Sequence, residues 1–438
     1  YAGNPINPRY LEIQEFDDDA RTFSQEVRLV SNTAPGKMFD YAVGVYFEHQ
    51  IRNGTWDVVE PGTYERAVAQ GCTAQYYLGA EFPNCLLNFG PNSTSFFQGD
   101  HQDFIDKSIF GELTWHFTAK GQITFGGRHF KQDFTDAQSY LDYPFAILLP
   151  AVPHSSPASK NTWKINPSYE YADKQYVYAT WSQGFRRGGA NSVPLVGVYA
   201  ESPTLQQYKP DTVNNYEVGL KGRFADGLTY TLAVFDVEWE NPQISASLPS
   251  GNLAVYNGDH ARSRGFELDT SGPLFVQGLS YNVGVAVAHA ELTKDFSLTA
   301  NDGTGQIVDG AVKGFAGQQL PGSPKFSTSE AVSYVREIIP DYLATLTLNH
   351  TYHSHAPMGL SASDGSNTLG NTSAYGLWNL AASIAHGPFT LRLTANNLLD
   401  KRAILAPPNR VGFLNNLTND YQINRPRVLG ATIVYDFR

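Results

Sequence analysis

Apolar and polar residues alternate with a period of two along many segments of the chain, which is the pattern of a β-strand with two different faces. An early segment places five apolar side chains on one face: Phe39, Tyr41, Val43, Val45 and Phe47. In a middle segment, acidic residues alternate with Phe235, Val237 and Trp239. The last segment has the apolar face Leu429, Ala431, Ile433, Tyr435 and Phe437. Strands of soluble proteins usually have about five or six residues, and many of these segments are longer. We therefore expect them to cross a bilayer with the apolar face against lipid.

There are about sixteen such segments, and the lengths of the connections between them alternate between a few residues and a few dozen. Short connections follow the segments that end near Asn32, Phe117, Tyr171, Arg223, Thr270, Val335 and Ala385. Long connections follow those that end near His49, Phe134, Phe185, Trp239, Glu291, His355 and Leu398. Outer-membrane barrels have short turns on one rim and long loops on the other. The sequence therefore predicts an all-β protein, a transmembrane antiparallel up-and-down β-barrel.

Composition and charge exclude some classes of function. Hydrophobic residues make up 42% of the 438 residues and charged residues 17%, and the formal net charge is −11. An acidic chain argues against a nucleic-acid partner, because phosphate backbones require clustered Lys and Arg. The sequence contains no nucleophile elbow, phosphate-binding loop or zinc-protease motif. We therefore expect neither an enzyme nor a resident cofactor.

The chain has two cysteines, Cys72 and Cys85, both in the long connection between about Ile51 and Asp106. Because a chain with so few cysteines keeps both in one loop, we predict a disulfide between them. It would contribute about 3 kcal/mol by closing a short loop and would indicate an oxidising compartment. The alternative is two unrelated thiols.

Six motifs follow one another along nearly the whole chain. They are Phe23–Ser31 (FSQEVRLVS), Tyr178–Phe185 (YATWSQGF), Asn215–Gly222 (NYEVGLKG), Ser263–Leu268 (SRGFEL), Asn396–Arg402 (NNLLDKR) and the closing segment from Arg425 to Phe437. Together they resemble the barrel region of TonB-dependent outer-membrane receptors of the siderophore type. The resemblance implies a location in the outer membrane of a Gram-negative bacterium. It also implies a barrel of about 22 strands and an N-terminal plug.

This chain departs from that family pattern in two ways. About sixteen strands are predicted, and neither a plug nor a TonB-contacting segment precedes Tyr1. We therefore expect residues 1–438 to be the C-terminal part of the barrel domain, with the plug and the first strands missing from the chain. The second departure is at the end, where Tyr435 and Phe437 fit the family's outer-membrane assembly signature but Arg438 follows them.

The resemblance implies active import of a scarce ligand on energy delivered by TonB, which would act through the missing plug. A ferric siderophore complex is the first choice of ligand, and outer-membrane lipid and lipopolysaccharide are further expected partners. One alternative is a passive sixteen-stranded porin. Another is a surface structural or attachment barrel whose loops dock a partner protein.

Candidate ligand-binding residues lie where a long loop opens, at Arg186, Arg187 and Asn191. Two cations above a strand end could bind an anionic ferric chelate, since the arginine fork suits carboxylate or catecholate oxygens. The alternative is that they pair with lumen carboxylates or lipopolysaccharide, or shape the loop.

Histidines also cluster near one strand end, and His353 and His355 share a face beside His350. Imidazole suits several transition metals. No carboxylate or cysteine completes a ligand set nearby, so these two are only weak metal candidates and solvated loop histidines are the expected role.

Overall fold

The computed structural model describes residues 13–32, 36–59, 61–62, 93–142, 147–191, 193–195, 200–250, 252–360, 370–406 and 422–437. The predicted disulfide between Cys72 and Cys85 lies outside the described residues. Across the described ranges the regular structure consists of β-strands and one short 3-10 helix, Pro203–Leu205. None of the helices in these ranges is long and apolar enough to span a membrane.

The strands are, in chain order, β1 (Ile13–Val30), β2 (Phe39–Val59), β3 (Thr94–His116), β4 (Gly121–Asp142), β5 (Ile147–Ser155), β6 (Ala158–Ala172), β7 (Gln175–Arg186), β8 (Gly189–Ala190), β9 (Gln207–Tyr208), β10 (Asp211–Arg223), β11 (Thr229–Glu240), β12 (Gln243–Ser247), β13 (Leu253–Asn257), β14 (His260–Pro273), β15 (Leu279–Leu292), β16 (Phe296–Asn301), β17 (Ile307–Gly314), β18 (Phe326–Ile339), β19 (Tyr342–His353), β20 (Tyr375–His386), β21 (Phe389–Asn396), β22 (Ile404–Ala406), β23 (Gln422–Ile423) and β24 (Val428–Tyr435).

One antiparallel sheet of 16 strands dominates the molecule, in the order β1-β2-β3-β4-β6-β7-β10-β11-β14-β15-β18-β19-β20-β21-β24, with β5 paired to the outer half of β4. Neighbours in this order follow one another along the chain, so the up-and-down topology is confirmed. In the described part of the chain β1 pairs only with β2 and β24 only with β21, and every residue of both edge strands is exposed.

The predicted alternation of connections is also confirmed. Pairs of residues join β6 to β7, β18 to β19 and β20 to β21, and the long connections follow β2, β4, β7, β11, β15, β19 and β21.

Two of the short turns are built alike. Lys174 and Asp341 adopt the left-handed conformation, with φ of 55° and 69°. The carboxylate four residues earlier, Glu170 or Glu337, accepts the backbone N–H of that residue, which compensates for a conformation that side chains disfavour.

The outward face can be followed across the sheet from the strand register. Residues that pair directly across six strands form one row: Leu113, Phe125, Ile165, Trp181, Tyr216 and Asp236. The predicted outward faces of β2, β21 and β24 are confirmed, because their apolar side chains are exposed. We call these exposed apolar residues of the outward face the apolar belt.

The structure corrects the faces assigned to β11. Asp236 belongs to the outward row, together with Val234 on the same face. The opposite, inward face carries Phe235, Val237 and Trp239. The cause lies at the outer rim, where Trp239 Nε1 donates to the buried carboxylate of Asp211 at 3.0 Å. Alternation alone could not tell which side of this strand faced lipid.

Three strands are much longer than a membrane crossing requires. The lengths of β2, β3 and β4 are 21, 23 and 22 residues, whereas a tilted crossing takes about 9–11. The outward face of their outer halves is polar, with His49 contacting Asp103 at 3.0 Å and His101 contacting Asn53 at 2.7 Å. We call residues 13–23, 49–59, 94–105 and 133–142 together with β5 the projecting sheet. The sequence had indicated strand ends near His49 and Phe134, so much of the predicted loop is strand.

The long loops beyond β7, β11 and β15 pack against one another. They share a buried apolar cluster, which we call the loop core: Val193, Leu205, Ile244, Leu248, Ala254, Tyr256, Ala261, Leu292 and Ala300. The carboxylate of Glu201, only 2% exposed, accepts hydrogen bonds from Ser250 Oγ, from Asn252 Nδ2 at 3.1 Å and from the backbone N–H of Asn301 at 2.9 Å. One buried anion therefore links three loops.

Candidate functional site

Arg186 is the last residue of β7 and lies opposite Asp211 in the register with β10. Its guanidinium donates from Nε and Nη2 to the Asp211 carboxylate and lies 4.9 Å from the centre of the Trp239 ring. Asp211 is 1% exposed and also accepts from Trp239 and from the backbone N–H of Gln243. The donors of Arg186 are thus directed at a buried carboxylate, which ties β7, β10 and β11 together.

Replacing Arg186 by alanine should loosen this rim, because Asp211 would keep a buried negative charge without its cationic partner. Removing one partner of a buried ion pair costs about 3–5 kcal/mol, and we expect the lower value since half of the Arg186 side chain is exposed. The measurement is hydrogen exchange at the outer ends of β10 and β11. Arg186→Lys should restore part of the protection, and unchanged exchange in Arg186→Ala would contradict the ion-pair role.

Asn191 bridges two loops through its amide group. Nδ2 donates to the carbonyl oxygens of Leu205 and Val255, both at 2.7 Å, and Oδ1 accepts the backbone N–H of Val255 at 2.8 Å. Both ends of the amide are therefore engaged in joining the connection after β7 to β13. This geometry assigns Asn191 a role in holding the loops together.

Arg187 points in a different direction from Arg186 and stacks between two phenyl rings. Its guanidinium carbon is 4.5 Å from the centre of the Phe104 ring and 4.0 Å from that of Phe134. These two rings meet edge to face across β3 and β4, with centres 6.4 Å apart, on the inward side of the sheet next to Asp106. Stacking against aromatic faces stabilises a cation without using its N–H donors.

No hydrogen-bond acceptor among the described residues contacts the Arg187 guanidinium. Burial lowers the pKa of Arg187 from its usual range, while Tyr208, Asp136 and Glu48 oppose that shift through space. A guanidinium has five N–H donors in a planar fork, and half-buried donors without acceptors are costly. Of the three predicted residues, Arg187 is the one with donors available for an anion.

The inner wall around Arg187 is polar and aromatic. Asp106 accepts from Gln132 Nε2 at 2.7 Å and from Arg128 Nη2 at 3.3 Å, and Arg128 lies 5.6 Å from the centre of the Tyr46 ring. Phe130 packs on Phe185 with ring centres 4.9 Å apart. Aromatic rings and paired charges on one wall suit a ligand that combines oxygen donors with flat rings.

The histidines predicted as weak metal candidates are separated by the structure. His353 contacts Ser327 Oγ at 3.0 Å, and His355 is an exposed loop residue. His350 lies on the outward face, where Nδ1 contacts Glu330 at 2.8 Å and the ring stacks on Trp378. Within the described ranges no three His, Cys, Asp or Glu side chains converge as a metal site.

The predicted assembly signature lies in an aromatic group at the end of the sheet. Tyr435 packs on Phe389 of the neighbouring strand with ring centres 4.8 Å apart, and Phe437 meets Tyr435 edge to face at 4.7 Å. Phe437 is 91% exposed on the lipid side. The role of this pair in barrel assembly stays a prediction.

The comparison with known families decides the classification. A model of the family described as TonB dependent receptor-like, beta-barrel, matches residues 5–398. The chain belongs to the TonB-dependent receptor family. It is therefore an outer-membrane barrel of the Gram-negative type, and the family consists of transport receptors. The predicted resemblance, fold class and location are confirmed by this match.

Individual relatives of this TonB-dependent receptor are distant. The pesticin receptor of Yersinia enterocolitica is 24% identical over 338 residues, which cover 75% of the chain and 43% of that protein. The ferric yersiniabactin uptake receptor of Yersinia pestis has a similar structure, with a TM-score of 0.69, 18% identity and coverage of 98% of this chain and 56% of that one. The chain thus spans about half the length of these relatives.

Similarity of fold does not select the cargo of this receptor. A copper transporter superposes with a TM-score of 0.64 at 14% identity, over 97% of this chain and 58% of that one. Structures that share this barrel therefore include proteins named for different cargoes.

Two features of the inner wall were not predicted from the sequence. Phe104 and Phe134 flank Arg187, and a pair of acidic residues, Asp100 and Asp136, lies farther out on the same strands. A signal was present, since both acidic residues begin an Asp-x-Gln segment, Asp100-His-Gln102 and Asp136-Ala-Gln138. Without the register of β3 against β4, nothing in the sequence brings the two segments together.

Proposed function

We propose that this chain forms part of a receptor that imports a ferric siderophore complex across the outer membrane on energy delivered by TonB. The observation that carries the proposal is the Arg187 guanidinium, held between Phe104 and Phe134 on the inner wall with no acceptor among the described residues. Carboxylate and catecholate oxygens around Fe³⁺ make such complexes anionic. A guanidinium fork binds such oxygens with two parallel charge-assisted hydrogen bonds.

The surroundings of Arg187 favour a chelate over a simple anion. Phe104 and Phe134 offer ring faces on which an aromatic part of a chelator can stack, and such pairs contribute about 0.5–1.5 kcal/mol beyond burial. The loop core makes the adjoining loops a preformed rim, so less ordering is required on binding. The names of relatives such as the ferric yersiniabactin uptake receptor support the same class of ligand.

We further propose that residues 1–438 are the C-terminal part of a larger barrel domain, completed by strands that pair with β1 and β24 and by a plug that contacts TonB. Two observations support this. Both edge strands are fully exposed, and unpaired backbone groups at such edges are costly in lipid. The chain also spans about half of its relatives. Lipid and lipopolysaccharide would cover the apolar belt, with Phe437 and Tyr435 serving in assembly.

Two alternatives predict different behaviour. A passive porin would require the sheet to close on itself, but the path from β1 to β24 has fifteen strands, with β5 beside it, and β1 does not pair with β24 among the described residues. An attachment barrel that docks a protein is suggested by the name of the pesticin receptor. The exposed sides of the loops around the loop core and the polar outward side of the projecting sheet would then be the contact surface.

The test is binding and uptake by the complete protein in its native membrane. The probes are ferric yersiniabactin, ferripyoverdine and ferric citrate, each with radiolabelled iron. We expect one of them to bind with micromolar or better affinity and to accumulate in cells only when TonB is present. Uptake that continues unchanged without TonB would support the porin, and binding of none of the ferric complexes would contradict the proposal.

A further inference from the structure

Asp100 and Asp136 lie on the inward side of the projecting sheet, on the neighbouring strands β3 and β4. Their register is diagonal, because Asp100 pairs with Gln138 and Gln102 pairs with Asp136. Each carboxylate uses Oδ2 to accept from the glutamine two positions later, Gln102 at 2.9 Å and Gln138 at 3.1 Å. Asp136 is only 3% exposed. The two Asp-x-Gln segments thus form a symmetrical polar group inside the mouth of the sheet.

The remaining oxygens of the two carboxylates, both Oδ1, are buried and receive no hydrogen bond from a donor group of the residues that the structure describes. Two adjacent carboxylates, one buried and one half-buried, are costly to ionise together, and such pairs can hold one proton between them. A shared proton supplies the hydrogen bond that both Oδ1 atoms lack. This arrangement therefore accounts for two orphaned atoms at once.

The electrostatics agree with the geometry. Asp136 lies in the projecting sheet, beyond the apolar belt, and burial together with the contact to Asp100 raises the pKa of Asp136 to about 8. Near neutral pH the pair carries one negative charge, and it gains a second charge when the shared proton leaves to solvent.

The charged and titratable groups around the pair come from four other elements. Arg52 on β2 is engaged by Asp18 at 2.8 Å, and Glu48 lies lower on the same strand. His154 of β5 pairs with Asp136 in register and contacts Gln207 at 3.4 Å. Tyr208 of β9 and Arg187, from the loop after β7, complete the set. Among the described residues in this set, Arg187 is the cation without a hydrogen-bonded carboxylate.

We propose that Asp100 and Asp136 share a proton and thereby control anion binding at Arg187. While the proton is held, the positive charge of Arg187 is available to an anionic ferric complex. When the proton leaves, the second negative charge offsets the positive charge of Arg187 and repels the same complex. The inference rests on the proposed function, since it assumes that Arg187 contacts an anionic ligand. It adds a regulation by pH and two specificity-determining residues to that site.

The proposal predicts how affinity depends on pH. If the doubly ionised pair excludes the anion, binding is linked to one proton with a pKa of about 8, and affinity falls by about tenfold between pH 7 and pH 9. A neutral ferric trihydroxamate should show no such loss. Release of an imported anion would then be favoured by alkaline conditions and capture by neutral or acidic ones.

The experiment measures the affinity of the complete protein for ferric citrate from pH 6 to pH 9. Asp136→Asn keeps the volume of the side chain but cannot ionise, so its affinity should lose the tenfold pH dependence. Asp100→Asn, at the more exposed member of the pair, is the second variant if Asp136→Asn does not fold. Asp103→Asn is the matched control, because Asp103 lies on the same strand but faces outward. Comparison with the variants removes the effect of pH on ferric citrate itself.

A second readout detects the shared proton without any ligand. Infrared spectra of the protein should show a protonated carboxyl band at pH 7 that disappears by pH 9 and is absent in Asp136→Asn. Absence of that band in the wild type would overturn the proposal. Binding of ferric citrate with a flat pH profile would overturn the control by the shared proton and leave the proposed function standing. Failure to bind any ferric complex between pH 6 and pH 9 would overturn both.

Discussion

Replacing Arg187 by alanine should weaken binding of an anionic ferric complex by about a hundredfold. The estimate comes from two charge-assisted hydrogen bonds of about 1.5 kcal/mol each, and about 1.4 kcal/mol corresponds to a factor of ten. The barrel itself should be unaffected, because the guanidinium makes no hydrogen bond to the described residues and is held there by the Phe104 and Phe134 rings. The measurement is titration of the complete protein with each ferric complex.

Two further variants make this prediction specific to the arginine fork. Arg187→Lys keeps the charge but loses the planar fork, so it should restore only part of the affinity. Arg262→Ala is the matched control, since Arg262 is paired with Asp236 on the outward face. A loss of affinity in Arg262→Ala equal to that in Arg187→Ala would show that general charge, and not the inner-wall site, governs binding.

Replacing Glu201 by alanine should open the loop core. Its carboxylate is the common acceptor for Ser250, Asn252 and the backbone of Asn301. Leaving buried donors without an acceptor costs about 1–3 kcal/mol for each, so we expect about 4 kcal/mol of local destabilisation. The sheet should remain folded because its strand pairing does not involve Glu201.

The effect of Glu201→Ala should appear as faster hydrogen exchange in β12, β13 and β16 and as faster proteolysis of the loops that contain them. Glu201→Gln keeps the shape and one acceptor oxygen, so an intermediate effect is expected. Glu238→Ala is the control, because Glu238 is an exposed carboxylate of the outward face of β11. Loops that stay equally protected in Glu201→Ala would show that the apolar cluster alone holds them.

Much of the barrel could be predicted from local pattern. Alternation with a period of two is a property of each strand, and the length of a connection is a property of the chain between strands. Both can be counted without knowing any contact, and this is why the turn between β20 and β21 and the lipid-facing sides of β2, β21 and β24 were predicted correctly. The outer extensions of β2, β3 and β4 were not predicted, because their composition is mixed and only pairing with neighbours makes them strands.

Choosing between faces and between similar residues required the tertiary structure. The faces of β11 were predicted the wrong way round because Trp239 is drawn inward by Asp211, a residue of another strand. Arg186 and Arg187 are chemically identical neighbours in sequence. Asp211 occupies the donors of the first, while Phe104 and Phe134, from strands far away in the chain, hold the second with its donors free of described acceptors.

The sequence by itself determined the barrel class, the inner and outer rims and the family, because each follows from periodic pattern and ordered motifs. Tertiary structure alone decided which of the two arginines is held by a carboxylate and that Asp100 lies against Asp136. Those facts depend on the register between strands, which the geometry of the turn and the burial of one face set together, so the residues of one segment do not reveal it.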